Sequence, residues 1–151
     1  MKYLYVLLLS IVPLIEQRGA IPLGVIAYDL NPFLIFFVSL IGSIIPAPFI
    51  FLFFNKILNW MKTVKQFDKI TNFIDKKVRK GAKKVEGYME VGLITFVGIP
   101  LPTTGLWTGS AIAAFLGLDF KKSMACVFLG GVISATIITI LSVLAPKMFG
   151  F

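Results

Sequence analysis

YLYVLLLSIVPLIEQRGAIPLGVIAY, residues 3–28, is long enough and apolar enough to cross a bilayer, yet Glu16-Gln17-Arg18-Gly19 interrupts it and Pro22 follows. Charged side chains at membrane depth are costly and mark a partner or a task. A second apolar stretch, Val91 to Leu118, is broken in the same way by Pro100-Leu101-Pro102-Thr103-Thr104-Gly105, uncharged but polar and helix-breaking. A continuous spanning helix tolerates neither sequence well, because every backbone group in lipid needs an internal partner.

The rest of the chain fixes the class. It has 151 residues, of which 58% are hydrophobic and 14% aromatic, a composition far outside that of soluble domains. The sequence is that of an integral membrane protein with a single membrane domain, residues 1–151, too short to enclose a wide pore alone. Self-association is therefore expected, with a dimer favoured. The net charge of +8 is concentrated in one linker between apolar segments, which points to acidic lipid head groups rather than nucleic acid. A single cysteine, Cys126, excludes an intrachain disulfide and a thiolate metal cluster, and the absence of histidine excludes a histidine metal site or proton relay. No cofactor is expected. No aspartate pair at membrane depth and no serine or cysteine nucleophile with a base is in evidence, so an enzyme is not expected. Lys2 ahead of an apolar run imitates a signal peptide, but Gln17-Arg18-Gly19-Ala20 is a poor cleavage context and the segment is read as retained.

Two segments read as plain spans, 33–54 and 123–145, each uncharged and just long enough for a hydrocarbon core of about 30 Å. The broken segments, 3–28 and 91–118, have arms too short to cross. They fit re-entrant hairpins that reach mid-membrane and return, with their tips buried in protein. Between the halves, 1–54 and 88–151, the linker 55–87 carries ten basic and three acidic residues. Its apolar residues, Ile57, Met61, Val64, Ile70, Ile74 and Val78 among them, recur at helical spacing. That predicts a basic amphipathic helix, or two with a break near Gly81, lying at head-group level. The positive-inside rule places this linker in the cytoplasm, but it orients the hairpin arrangement and a four-span alternative equally well.

An offset of 87 residues superimposes Pro13-Leu14 on Pro100-Leu101, Ala27 on Ala114 and Phe33 on Phe120, and each half has the same order: broken segment, polar turn, span. If each half crosses once, the second is inverted relative to the first, a design of transporters. The expected fold is thus an all-α inverted repeat, each half a re-entrant helical hairpin followed by one transmembrane helix, joined by a basic amphipathic cytoplasmic helix.

The run Glu16-Gln17-Arg18-Gly19-Ala20-Ile21-Pro22 followed by Gly24, together with GIPLPTTGLWTG at 98–109, resembles the small multidrug export protein family, a relative of the DedA or VTT-domain membrane proteins. The resemblance implies the same inverted-hairpin fold, the plasma membrane of a prokaryote, and a superfamily linked to lipid-carrier translocation, lipid scrambling and proton-dependent export. A polyprenyl-phosphate lipid is one partner it implies. The DedA pattern of further acidic and arginine residues in later membrane segments is not evident here, since only Asp119, Lys121, Lys122 and Lys147 are charged beyond Glu90.

The tips suggest chemistry independently. If the helix breaks between them, Glu16 and Arg18 both project into one cavity, where Arg18 offers a planar fork suited to phosphate or carboxylate and Glu16 pairs with it or, if desolvation raises its pKa, carries a proton. Gly19 and Pro22 shape that tip. In the other tip Pro100 and Pro102 prevent a continuous helix, Gly105 and Gly109 relieve crowding, and Thr103, Thr104 and Thr108 offer hydroxyls near the free N–H groups of the next half-helix. Trp107 stands where it could stack on a substrate or pack between repeats. The bland alternative is a buried Glu16–Arg18 pair that only holds the hairpin. Asp29 and Asp119 read as helix caps, and Gly130-Gly131 as a site of close helix approach. The leading expectation is a transporter or flippase whose anionic substrate binds between the two tips. The alternatives are a lipid-organising scaffold that moves nothing, and a four-span drug and proton exchanger using Glu16.

Overall fold

A computed structural model describes residues 1–85 and 88–149, with side chains 81–85 and 149 left aside. Glu86, the last residue of the expected basic segment, and the linker's end at residue 87 lie outside the described residues. Among those described the chain is all helical. Two stretches, Pro32–Lys62 and Phe120–Met148, are long and apolar enough to cross a membrane.

Helix α1 (Lys2–Ile11) ends where Pro13 removes a donor and Leu14 takes a left-handed backbone, φ 74°. The chain then reverses into α2 (Glu16–Pro22). Pro22 lies inside this run; its ring withholds an N–H and crowds the preceding turn, and the helix widens to π geometry over Leu23–Ala27, closed by a Tyr28 N–H bond of 3.1 Å to the Leu23 carbonyl. The arms lie antiparallel: Tyr28, at the end of the second, stacks edge-on against Tyr5 with ring centroids 6.2 Å apart, and the Lys2 ammonium lies over its ring. The break therefore falls at 12–15, ahead of Glu16, rather than between Glu16 and Arg18. Both side chains rise from the first turn of one helix.

The expected span 33–54 is divided. Helix α3 (Pro32–Ile44) stops at a turn through Ile45-Pro46, and α4 (Ala47–Lys62) runs eight residues past the expected end. Pro46 and Pro48 cannot donate to the preceding turn, so the helix is relaid there. The start of α3 is capped by the Asn31 side chain, which accepts from the Phe33 N–H at 2.9 Å, and not by Asp29, whose φ of 50° places it in the left-handed turn before it. Asp119 caps as expected, accepting from the Lys122 N–H at 3.0 Å.

After a short 3₁₀ turn, α5 (Asp68–Val85) carries the basic amphipathic pattern, continuing through Gly81 without a backbone break. Its face of Thr71, Ile74 and Val78 packs against protein. Helix α6 (Met89–Gly98), the loop 99–105 and α7 (Leu106–Phe115) form a second antiparallel pair, held close because Gly109 lets the Val97 side chain in. Helix α8 (Phe120–Phe149) is 30 residues, about 45 Å, long. It starts beside α6, where Lys122 Nζ lies 3.5 Å from Glu90.

Two cores form. Val6, Ile21, Ile35 and Leu40 pack against the middle of α8, and Leu93, Val97, Leu106 and Ile112 pack against its first half and α4. The outward faces of α3, α4 and α8 expose Phe33, Phe37, Phe49, Ile133, Ile137 and Leu141. An apolar exterior around a core that buries Ser10, Ser39, Ser43 and Ser134 is the arrangement of a membrane protein.

Candidate functional site

Each helix of the two pairs ends in a tip, and the tips touch. Glu16, 4% exposed, turns its carboxylate to the start of α7 and accepts from the N–H of Trp107 at 3.0 Å and of Leu106 at 3.3 Å. These are unsatisfied donors of a helix N-terminus, where the backbone dipole also favours a negative group. The glutamate's own backbone is left-handed, φ 43°, a conformation that costs a non-glycine residue roughly 1–2 kcal/mol and that the two bonds offset.

Arg18 reaches the other side of the same loop. One terminal nitrogen donates to the Leu101 carbonyl and Nη2 donates to Thr104 Oγ1 at 3.1 Å. Thr104 is a knot: its hydroxyl donates to the Ile99 carbonyl at 2.5 Å and accepts from the Leu101 N–H at 3.2 Å, so the proline-framed loop is held in the shape that Arg18 grips. Glu16 and Arg18 form no ion pair with each other among the described residues; both are spent on the opposite tip. Gly105 lies where they converge. A Cβ there would stand 2.4 Å from Glu16 Oε2 and 2.9 Å from Arg18 Nη2. Its backbone is extended, so space and not φ demands glycine.

Gln17, which the sequence reading passed over, is fully buried and donates to the Gly131 carbonyl at 3.0 Å, tying the first tip to the middle of α8. Its signal was present, a third polar side chain at membrane depth. Gly130 and Gly131 do allow close approach: a Cβ on Gly130 would meet the Ile94 carbonyl at 2.8 Å.

Because the tips are in contact, the space for a ligand lies beside them. A half-open cavity of about 390 Å³ is lined at the tips by Glu16, Arg18, Pro102, Thr103, Thr104, Trp107 and Thr108, on α4 by apolar residues such as Phe54 and Leu58, and on α5 by Phe73, Ile74, Lys77 and Val78. Pro22 and Pro100 instead line a cleft on the other side of Arg18. Gly19 packs on Ile15, and Gly109 on Val97 away from the cavity. Lys77 was not among the expected site residues; it lies one turn from Phe73 and Ile74 on the face that α5 turns inward.

Several polar groups around the tips are left over, Gln17 Oε1 as an acceptor and others as donors. Lys77 has no ion-pair partner among the described residues, and Arg18 Nε and Trp107 Nε1 are buried without a hydrogen-bond partner. The cavity combines an apolar chamber with two cations, Lys77 and Arg18, and the hydroxyls of Thr103, Thr104 and Thr108, against one carboxylate already bonded to a helix end.

Searches of curated proteins and of solved structures gave no match. A family model described as "Putative small multi-drug export protein" matches residues 16–137, from the first glutamate of the tip to the middle of α8. That span contains Glu16 and Arg18, the whole of the second tip and the helices that line the cavity, and the chain belongs to this small multi-drug export protein family.

Proposed function

We propose that this export-family membrane protein transports or flips an amphiphile with an anionic head group, bound in the chamber beside the paired tips. The cations on an otherwise apolar lining carry this reading: Lys77 and Arg18 suit acceptor oxygens, and the α4 and α5 walls suit hydrocarbon. Phosphate and carboxylate head groups share that chemistry, and a polyprenyl phosphate is one member of the class. Glu16, with its carboxylate committed to α7, is poorly placed as the sole binding group of a cation exchanger.

The same reading treats both helix pairs as re-entrant hairpins and the halves as inverted repeats. Packing supports it beyond the few sequence identities. Gly42 of α3 sits against the Leu7 carbonyl and Ser10 of α1; Gly130 of α8 sits against the Ile94 carbonyl and Val97 of α6. Leu7 and Ile94 stand 87 apart, as do Ser10 and Val97, and the glycines 88 apart. Orientation follows with α5 on the cytoplasmic side of a plasma membrane, and a homodimer is the simplest assembly.

Intrinsic fluorescence tests the head-group class. Decyl phosphate titrated into purified protein is expected to change Trp107 emission, an effect lost in Trp107→Phe with Trp60 retained, while decyltrimethylammonium gives none. A response to the cation alone would instead support the drug exchanger.

A further inference from the structure

We infer that the cleft on the far side of the tip contact is a second head-group subsite, and that Arg18 is the ligand common to both. This rests on the first cavity being an anionic head-group site. The second cavity, about 320 Å³, is lined by Arg18, Pro22, Ile26, Pro100 and by Ile138, Leu141, Ser142 and Ala145 of α8. Among the described residues Arg18 is the one that lines both cavities.

Their placement along α8 gives them opposite faces. Lys122 marks the end next to Glu90, where the linker joins. Gly131 marks the level of the tips, through its bond to Gln17. Ser142 is 20 residues beyond Lys122, about 30 Å along the helix. The first cavity, walled by α4 and α5, lies on the linker side of the tip contact, and the second lies on the far side.

The chemistry of the second cavity is simpler. Pro22 and Pro100 have no N–H to give, and Ser142 donates its hydroxyl proton to the Ile138 carbonyl at 2.8 Å, leaving it an acceptor. Among the described residues Arg18 is its only cation, with Ile26, Ile138, Leu141 and Ala145 offering apolar surface. The bonds Arg18 makes to the second tip go to a carbonyl and a hydroxyl, both neutral. An anionic oxygen is the stronger acceptor and can displace them. A head group held by Lys77 and Arg18 on the linker side can then pass to the far side while one guanidinium keeps hold of it, as the apolar tail moves between chambers. Lys77 has no counterpart in the second cavity, so the linker side binds more tightly.

Cysteine protection tests this in vesicles of known orientation, in a Cys126→Ser background. Thr108→Cys reports the linker-side cavity and Ser142→Cys the far one. A charged, impermeant thiol reagent is expected to reach each from its own face only. Decyl phosphate added at each face at ten times the Kd of the cavity on that face should slow the reaction there about tenfold, the higher concentration being needed at Ser142→Cys. Arg18→Gln should remove protection at both positions, and Lys77→Gln at Thr108→Cys alone. Protection at Thr108→Cys with none at Ser142→Cys, or protection at Ser142→Cys that survives Arg18→Gln, overturns the shared-ligand inference and leaves the head-group reading standing. No protection at Thr108→Cys defeats that reading itself. Unliganded sidedness reports folding. Where Arg18→Gln does not insert, Arg18→Lys keeps a cation without the fork and should weaken protection at both cysteines together; weakening at one alone overturns the inference.

Discussion

Gly105 is the residue on which the tip contact turns, because two charged side chains converge on the position its missing Cβ would take. Gly105→Ala places a methyl 2.4 Å from Glu16 Oε2 and 2.9 Å from Arg18 Nη2, so one of those groups must leave its partner. Overpacking of this kind costs about 1–3 kcal/mol, and here it also disturbs the proposed head-group site. Gly117 is the internal comparison. Its φ is 66° and its surroundings are open, so Gly117→Ala strains only the backbone, by roughly 1–2 kcal/mol. Thermal melting in detergent should show both variants destabilised, with transport or ligand binding lost in Gly105→Ala only; equal activity in the two would deny the tip contact its role. Glu16→Gln keeps the shape and removes the charge from the α7 N-terminus. It should cost about 1–3 kcal/mol, whereas unchanged stability would mean that the two backbone bonds carry little.

Among the elements, α5 departs furthest from what a sequence reveals. Its spacing announces an amphipathic helix, and a basic amphipathic helix beside a membrane is naturally taken to lie on lipid. Hydropathy does not distinguish a lipid surface from the flank of α4 and α7, and so Lys77 could not be recognised as facing a cavity. The tips were more legible, because charge and paired prolines at membrane depth have few structural uses. What the sequence left open there was the position of the break, since an extra half-turn moves it from one side of Glu16 to the other, and the π turn that Pro22 provokes. Similarly, Asp29 and Asn31 are both good caps, and only the left-handed backbone at Asp29 hands the task to Asn31. The packing of α5 is testable by proteolysis. Val78 is 4% exposed, and burying such a side chain contributes about 1.5–3 kcal/mol. Val78→Asp should free the helix and accelerate tryptic cleavage at Lys76, Lys77, Arg79 and Lys80 by roughly tenfold to a hundredfold, the change in open population. An unchanged rate would place α5 loose already. At its exposed side, the hydrogen bond from Arg79 at 2.7 Å, with help from Lys62, holds the Asp75 carboxyl below its ordinary range. A lowered folded-state pKa gives stability that is present above the unfolded value of about 3.9 and lost as pH falls through the folded one. Asp75→Asn should therefore lower stability at neutral pH by less than about 1 kcal/mol, a difference that disappears in strong acid.

For the molecule as a whole, the decisive property is that each helix pair brings its chain back to the end from which it left. Lys2 and Tyr28 share one end of the first pair, Glu90 and Lys122 one end of the region around the second, and the tips meet near Gly131, close to the midpoint of α8. A helix of about 45 Å exceeds a hydrocarbon core of about 30 Å, so α8 has length to cross with both ends in water. On the proposed arrangement its middle, and with it the level of the charged contact between tips, then falls within the bilayer. In a four-span arrangement Asp119 would lie across the membrane from the linker; on the proposed re-entrant reading it lies on the linker's side, because α6 and α7 return to the same end. Single cysteines at Asp119 and Thr63, in a Cys126→Ser background, should both label from the linker's face with an impermeant reagent, and Lys2→Cys and Asp29→Cys both from the opposite face. Labelling of Asp119 from the far side would mean that residues 91–118 cross the membrane, and the paired tips, the two cavities and the passage between them would all have to be given up together.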